Sequence, residues 1–372
     1  LFFPTTNALI FLFNRLQIML MKKFWLLGPL LGLSLFADEP LEDNPPPPEV
    51  VEKQVVDAEK EFAEAQKMFN PWYAGPLLTP SAHILTPGYV NIQPYLFYIN
   101  NYAKFDEHGH SHKISNTHTF NPIFPVLIGI LPWMDLSFSF QGVWNQAKKQ
   151  YTGFWGDSKV GLGFGLLHEG PYRPAILFGI SETFPSGRYQ KLNPKKDGTD
   201  ATGAGSYNTT LSLNLSKVVW WLTLHPMNFR VSFNYTLPAL VSVKGYNAYG
   251  GGTGTRGKVR PGNQFQGDFG YEYSFTQKWV AALDVVYVYN RKTTFSGRSG
   301  FSSPGSAAAM GGPSPSVAAT MGGPFNDQLS LAPALEYNPN ENLNFLVGTW
   351  FSVWGRNALN FASAVVTVEY TF

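Results

Sequence analysis

From about residue 88 to residue 372 the chain alternates apolar and polar positions with a period of two. In 135–145, Leu136, Phe138, Phe140 and Trp144 fall on one face, and Asp135, Ser137, Ser139, Gln141 and Asn145 on the other. Successive side chains of a strand point to opposite faces, so this pattern predicts strands. The same alternation runs through Phe229–Leu237 and Phe265–Phe275. Twelve strands are predicted, near 88–104, 115–130, 133–146, 155–168, 173–185, 206–223, 228–243, 263–275, 278–291, 326–337, 342–354 and 358–372. Alternation alone also fits a soluble sandwich. The connections separate the two. Every second one is short, as at 131–132, 169–172, 224–227, 276–277 and 338–341. The others are mostly long, notably 105–114, 185–205, 244–262 and 292–325, with a tight exception at 355–357. Short periplasmic turns opposite longer outer loops are the asymmetry of transmembrane barrels.

The expected fold is therefore all-β: a closed antiparallel transmembrane β-barrel of about twelve strands, with both termini periplasmic. Tryptophans support it. Trp133, Trp144, Trp155, Trp221, Trp279 and Trp354 fall near strand ends, where amphipathic rings form the two interfacial girdles.

Upstream of residue 88 the pattern changes. Residues 1–20 are read as an upstream extension. Residues 21–37 are read as a signal peptide, with Met21, Lys22 and Lys23 ahead of an apolar run and Ala37 at the cut. Residues 38–87 are assigned to the periplasm, as a Pro-rich linker (Pro45–Pro48 are consecutive) followed by an amphipathic helix. Val51, Val55, Ala58, Phe62, Ala65 and Phe69 carry the apolar stripe of that helix. It can rest on the barrel rim, plug the lumen or form a short coiled coil. Residues 88–372 are the barrel.

Composition narrows the function. Only 14% of residues are charged against 16% aromatic, and no run of 18 apolar residues follows residue 37. Loss of 1–37 removes Arg15, Lys22 and Lys23 and no acid, leaving 24 basic against 25 acidic residues. Nucleic-acid binding, which needs a basic footprint, is excluded. There is no cysteine, so disulfides, thiolate metal sites and a cysteine nucleophile are excluded.

Several motifs invite other chemistry. Asp106-Glu107-His108-Gly109-His110-Ser111-His112 groups imidazoles and carboxylates, but a loop lacks the supporting groups of a metal site, and it reads as solvated. Gly161, Gly163 and Gly165 alternate within a strand with no helix after them, so no phosphate loop is expected. Gly250–Gly254 reads as a flexible loop. Ala308-Ala309-Met310-Gly311-Gly312-Pro313 recurs as Ala319-Thr320-Met321-Gly322-Gly323-Pro324, a short duplication in an outer loop. Ser115 and His118 have no hydrolase motif around them, so no enzyme, cofactor or metal is expected.

Ionisable residues on barrel strands default to the lumen, because lipid exposure is costly. The expected lining is Asp135, Glu182, Arg230, Asp268, Glu272, Asp284, Glu336 and Glu369, seven acids against one base. That excess favours small cations or neutral solutes over anions. The final strand ends Val366, Val368, Tyr370, Phe372 on one face. Tyr370 and Phe372 resemble the carboxy-terminal recognition signal of outer-membrane barrels, which implies the barrel-assembly machinery as a partner, besides outer-membrane lipid and a possible homo-oligomer.

Gly156-Asp157 with Gly161, and Thr183-Phe184-Pro185-Ser186-Gly187 before a Gly-rich outer loop, resemble the outer-membrane transporter family typified by the meta-pathway phenol-degradation protein. Phe184 and Ser186 depart from that family's usual run. The resemblance implies a channel of the cell outer membrane passing small, often hydrophobic, molecules. The alternative is a structural or adhesive surface protein working through its outer loops.

Overall fold

A computed structural model describes residues 72–220, 225–302 and 317–372, with isolated positions between 47 and 60. Residues 55–58 are helical, within the expected 51–69 helix. The signal-peptide segment, residues 61–71, Trp221 and the first copy of the six-residue repeat lie outside the described residues.

The described strands are β1 (Val90–Ile92), β2 (Tyr95–Phe105), β3 (Ser111–Leu131), β4 (Met134–Ala147), β5 (Gln150–Trp155), β6 (Ser158–Leu167), β7 (Ala175–Phe184), β8 (Asn208–Val219), β9 (Met227–Pro238) and β10 (Val241–Lys244). They continue as β11 (Arg256–Arg260), β12 (Gln264–Ser274), β13 (Trp279–Asn290), β14 (Thr294–Arg298), β15 (Phe301–Ser302), β16 (Val317–Ala318), β17 (Asn326–Asn340), β18 (Leu343–Arg356) and β19 (Leu359–Thr371).

Twelve staves close into a barrel. The first is β1 with β2, interrupted at Gln93 and Pro94, where proline removes a ladder donor. The fourth is β5 with β6: β5 pairs with the outer half of β4 and β6 with its inner half, and Gly156 and Asp157 make the break. The rest are β3, β4, β7, β8, β9, β12, β13, β17, β18 and β19, each antiparallel to its neighbours. The ring closes where β19 pairs with β2 and β1, from Leu359 opposite Lys104 to Thr371 opposite Asn91. Among the described residues no helix is long and apolar enough to cross a membrane. Closure pairs every stave on both sides, which strands in lipid require.

The barrel is polar inside and apolar outside. Asp284, Glu272 and Glu336 are 0% exposed, whereas Phe140, Phe233 and Val347 are half exposed. A soluble sandwich would show the reverse. Trp133 and Trp279 lie exposed at short turns and Trp354 at the outer end, as two girdles require.

The long outer loops are more ordered than their composition suggests. β10, β11 and β14 form a three-stranded sheet whose Val241, Val243 and Val259 pack against Tyr189, Tyr249, Phe295 and Met321. The Gly250–Gly254 stretch, expected to be flexible, is tied to the second copy of the repeat. The Gly251 N–H donates to the Thr320 carbonyl (2.9 Å) and the Gly322 N–H to the Tyr249 carbonyl (3.0 Å). Long loops must pair their own backbone groups once they pack against one another, and strands are the economical way to do so.

Candidate functional site

The lumen is occupied by the chain's own segment Trp72–Pro87. This segment holds Pro76, Pro80 and Pro87 and makes no regular structure, so its backbone groups need partners elsewhere. Side chains on the inner wall supply them. The Asn338 amide donates to the Trp72 carbonyl. The Ala74 N–H donates to Glu336 Oε1 (2.7 Å). Asp284 receives the Thr79 N–H at 2.9 Å, the Thr79 hydroxyl at 2.6 Å and the Leu78 N–H at 3.2 Å. The Ala82 N–H donates to Ser216 Oγ at 2.9 Å.

Apolar side chains fill the remaining space. Leu77 is buried among Phe97, Ala332, Leu346 and Val365, and Ala82 against Ala175 and Leu177, with Ile84 alongside. The wall yields where the segment passes closest. A Cβ on Gly348 would lie 2.7 Å from Leu77 Cδ1, and one on Gly270 2.7 Å from Pro76 Cγ. The segment leaves over Gly129, where a Cβ would strike the Thr86 carbonyl at 2.2 Å, and leads directly into β1.

The eight ionisable residues singled out from the sequence divide by partner. Asp284 and Glu336 hold the segment directly. Asp135 lies against the backbone of Leu85 and Gly163. Arg230 donates from Nε to Glu272 Oε2 at 3.0 Å, and its guanidinium lies against Gly75. Asp268 accepts from Gln266 and Asn234, Glu369 from Asn91 and Asn344, and Glu182 from the Thr209 hydroxyl at 2.7 Å. Nothing in the alternation that singled them out showed that a proline-interrupted stretch upstream of the barrel would be a partner of Asp284 and Glu336.

Beside the acids, on β18, β19 and β2, lies an aromatic patch. Trp350 packs edge-on against Phe361 (4.7 Å between centroids) and Phe97 (6.2 Å). Its indole N–H donates to Ser330 Oγ at 2.9 Å. At the outer end the 185–207 loop folds inward. Asn145 Nδ2 donates to the Thr199 and Ala201 carbonyls, and Asp157 accepts the N–H groups of Gly187 and Ala204.

The carboxylates of Asp106 and Glu169 lie outside the membrane-spanning strands. Asp106 caps the histidine turn: His112 Nε2 bonds it at 2.8 Å, and the His110 and His108 N–H groups donate to it. These bonds hold its carboxyl well below the usual range. Among the described residues no group of three or more His, Asp or Glu side chains is placed to hold a metal ion. Glu169, in the β6–β7 turn, meets His83 of the segment and Lys217, each at 2.8 Å. Burial pushes its carboxyl up, but His83, Lys217 and the Val218 N–H outweigh this and leave it lowered. Tyr370 and Phe372 stack at 5.7 Å on the exposed face, and the Phe372 backbone pairs with Val90 at the closing seam.

No family model matches the sequence, and no curated protein matches it. Solved structures do. The COG4313 outer membrane channel from Pseudomonas putida F1 superposes with a TM-score of 0.58 at 9% identity, covering 78% of this chain and 98% of that one. The NanC porin aligns at a TM-score of 0.38 and 12% identity, over 74% of this chain and 98% of its own. The deltaS2 mutant of the TodX monoaromatic hydrocarbon channel aligns at 0.38 and 11%, over 77% and 90%. The chain is a closed twelve-stranded antiparallel β-barrel sharing its fold with the COG4313 channel.

Proposed function

We propose that the barrel is an outer-membrane channel for small apolar molecules, and that Trp72–Pro87 bars it to bulk hydrophilic solutes. The observation carrying this reading is the inward-facing aromatic patch of β18, β19 and β2. A water-filled pore gains nothing from Trp350, Phe361 and Phe97 facing inward, whereas an apolar solute gains a surface that water wets poorly. The acids on the neighbouring strands are occupied by hydrogen bonds, Asp284 and Glu336 to the segment itself, so they serve first as its anchors. The cation preference anticipated from the acidic excess belongs to the state in which the segment is displaced.

The test compares cells producing the barrel, cells producing Trp350→Glu and cells lacking it, in uptake of a radiolabelled apolar aromatic compound and of a sugar of similar size. Faster uptake of the aromatic compound alone, reduced by Trp350→Glu, is the expected result. Equal uptake of both solutes, or no gain over cells lacking the barrel, overturns the reading.

A further inference from the structure

We propose that the periplasmic end of the lumen binds a hard divalent cation of the calcium class, between Glu272 and Glu336. Both residues stand near the periplasmic ends of their strands. Asn228 on β9 is opposite Glu272 on β12, and Ser274, Val280 and Glu336 form one row across β12, β13 and β17. Only Val280 and Ala282 separate the two acids across β13, and each acid lies in the other's field.

The donors are distributed unevenly. Asn228 Nδ2 (2.8 Å) and Arg230 Nε (3.0 Å) both reach Glu272 Oε2. The Ala74 N–H and Asn338 Nδ2, each at 2.7 Å, both reach Glu336 Oε1. The second oxygen of each acid, Glu272 Oε1 and Glu336 Oε2, is buried with no donor among the described residues. So are the amide oxygens Asn228 Oδ1 and Asn338 Oδ1, on side chains at most 2% exposed. The Tyr73 hydroxyl, within electrostatic reach of both acids, and Ser274 Oγ are buried beside them and lie against each other. Two hydroxyls carry only two protons for four acceptor oxygens, and a native interior rarely leaves such groups unpaired.

Charge points the same way. Among the described residues, Arg230 is the base within electrostatic reach of Glu272, Asp284, Glu336 and Glu369. Burying unpaired charge is costly, so these acids must take up a cation or protons. The available ligands are carboxylate, amide and hydroxyl oxygens, without imidazole. That set suits a hard cation and not a transition metal, and a site built wholly of protein oxygens suits calcium better than magnesium, which keeps several of its waters. Because Tyr73 and Ala74 belong to the lumen segment, the cation would fasten that segment to the wall.

The experiment uses the full-length barrel, refolded without lipopolysaccharide and stripped with EDTA. Terbium is titrated in, with excitation through the neighbouring tyrosine and tryptophan. Asp106→Asn is the background protein, which removes the exposed histidine turn as a competing site. Saturable luminescence displaced by calcium is expected, weakened about tenfold or more by Glu336→Gln and less by Tyr73→Phe. Calcium should also raise the temperature at which the folded band is lost on a gel. Tyr73→Phe and the wild-type calcium–EDTA comparison still decide the matter if Glu336→Gln does not fold. No saturable signal, or a signal unchanged in both variants, overturns the proposal. So does folded-state stability that follows pH and ignores calcium, because a shared proton or buried water then satisfies these oxygens.

Discussion

The anchoring of the lumen segment predicts a specific consequence for Asp284→Ala. In the wild type, one carboxylate receives two backbone N–H groups and a hydroxyl from Leu78 and Thr79. Hydrogen bonds to a charged group contribute roughly 1.5–3 kcal/mol each. The 3.2 Å bond from Leu78 is the weakest, and removing the acid also relieves the cost of burying it. A net loss of about 3 kcal/mol is therefore expected for the seated segment, a shift of about a hundredfold toward the displaced state. The seated variant would also leave two backbone N–H groups without their acceptor. Single-channel recording reads this directly: open events should become far more frequent, and the open state should prefer cations, since the remaining acids are freed. Leu283→Ala, on the lipid side of the same strand, is the control. If Asp284→Ala leaves opening at the wild-type level while the barrel stays folded, the carboxylate is not the anchor and the reasoning fails.

Gly270→Leu should also displace the segment, since its first added carbon would already lie 2.7 Å from Pro76 Cγ and 3.0 Å from Thr79 Cβ, both of the segment; it should raise conductance without loss of barrel folding, and unchanged conductance would count against it. Deleting Phe372 should lower the folded outer-membrane fraction, measured by heat-modified gel mobility, more than deleting Ser303 in the 292–325 loop; equal assembly would remove any role for the terminal ring. The lowered Glu169 carboxyl stabilises the fold at pH values above the unfolded glutamate range of about 4.3, and that contribution disappears as pH falls through its lower folded value. Glu169→Gln should accordingly flatten the acid limb of a stability–pH curve, and an unaltered limb would refute the pairing with His83 and Lys217. We further propose that the mature chain begins at Asp38, which amino-terminal sequencing of the outer-membrane protein checks; retention of residues 1–20 would defeat it.

The barrel was legible because membrane burial writes a local code. Each stave must alternate to present apolar groups to lipid and polar groups to the lumen, so Leu136 to Trp144 reads as a strand without knowledge of its neighbours. Loop parity then ordered the staves, and the observed strands lie close to the predicted ranges. Composition could not reveal the strand order in the outer loops, because β10, β11 and β14 are stabilised by one another and by Tyr189 and Met321, far away in sequence. The lumen segment is the same case in stronger form. Pro76, Pro80 and Pro87 mark it locally as irregular chain, and its pairing depends on Asp284 and Glu336, about two hundred residues or more downstream. Periodicity reports what one strand's two faces touch, lipid or lumen. What fills the lumen is set by which side chains closure brings to a common axis, and only the closed tertiary structure decides that.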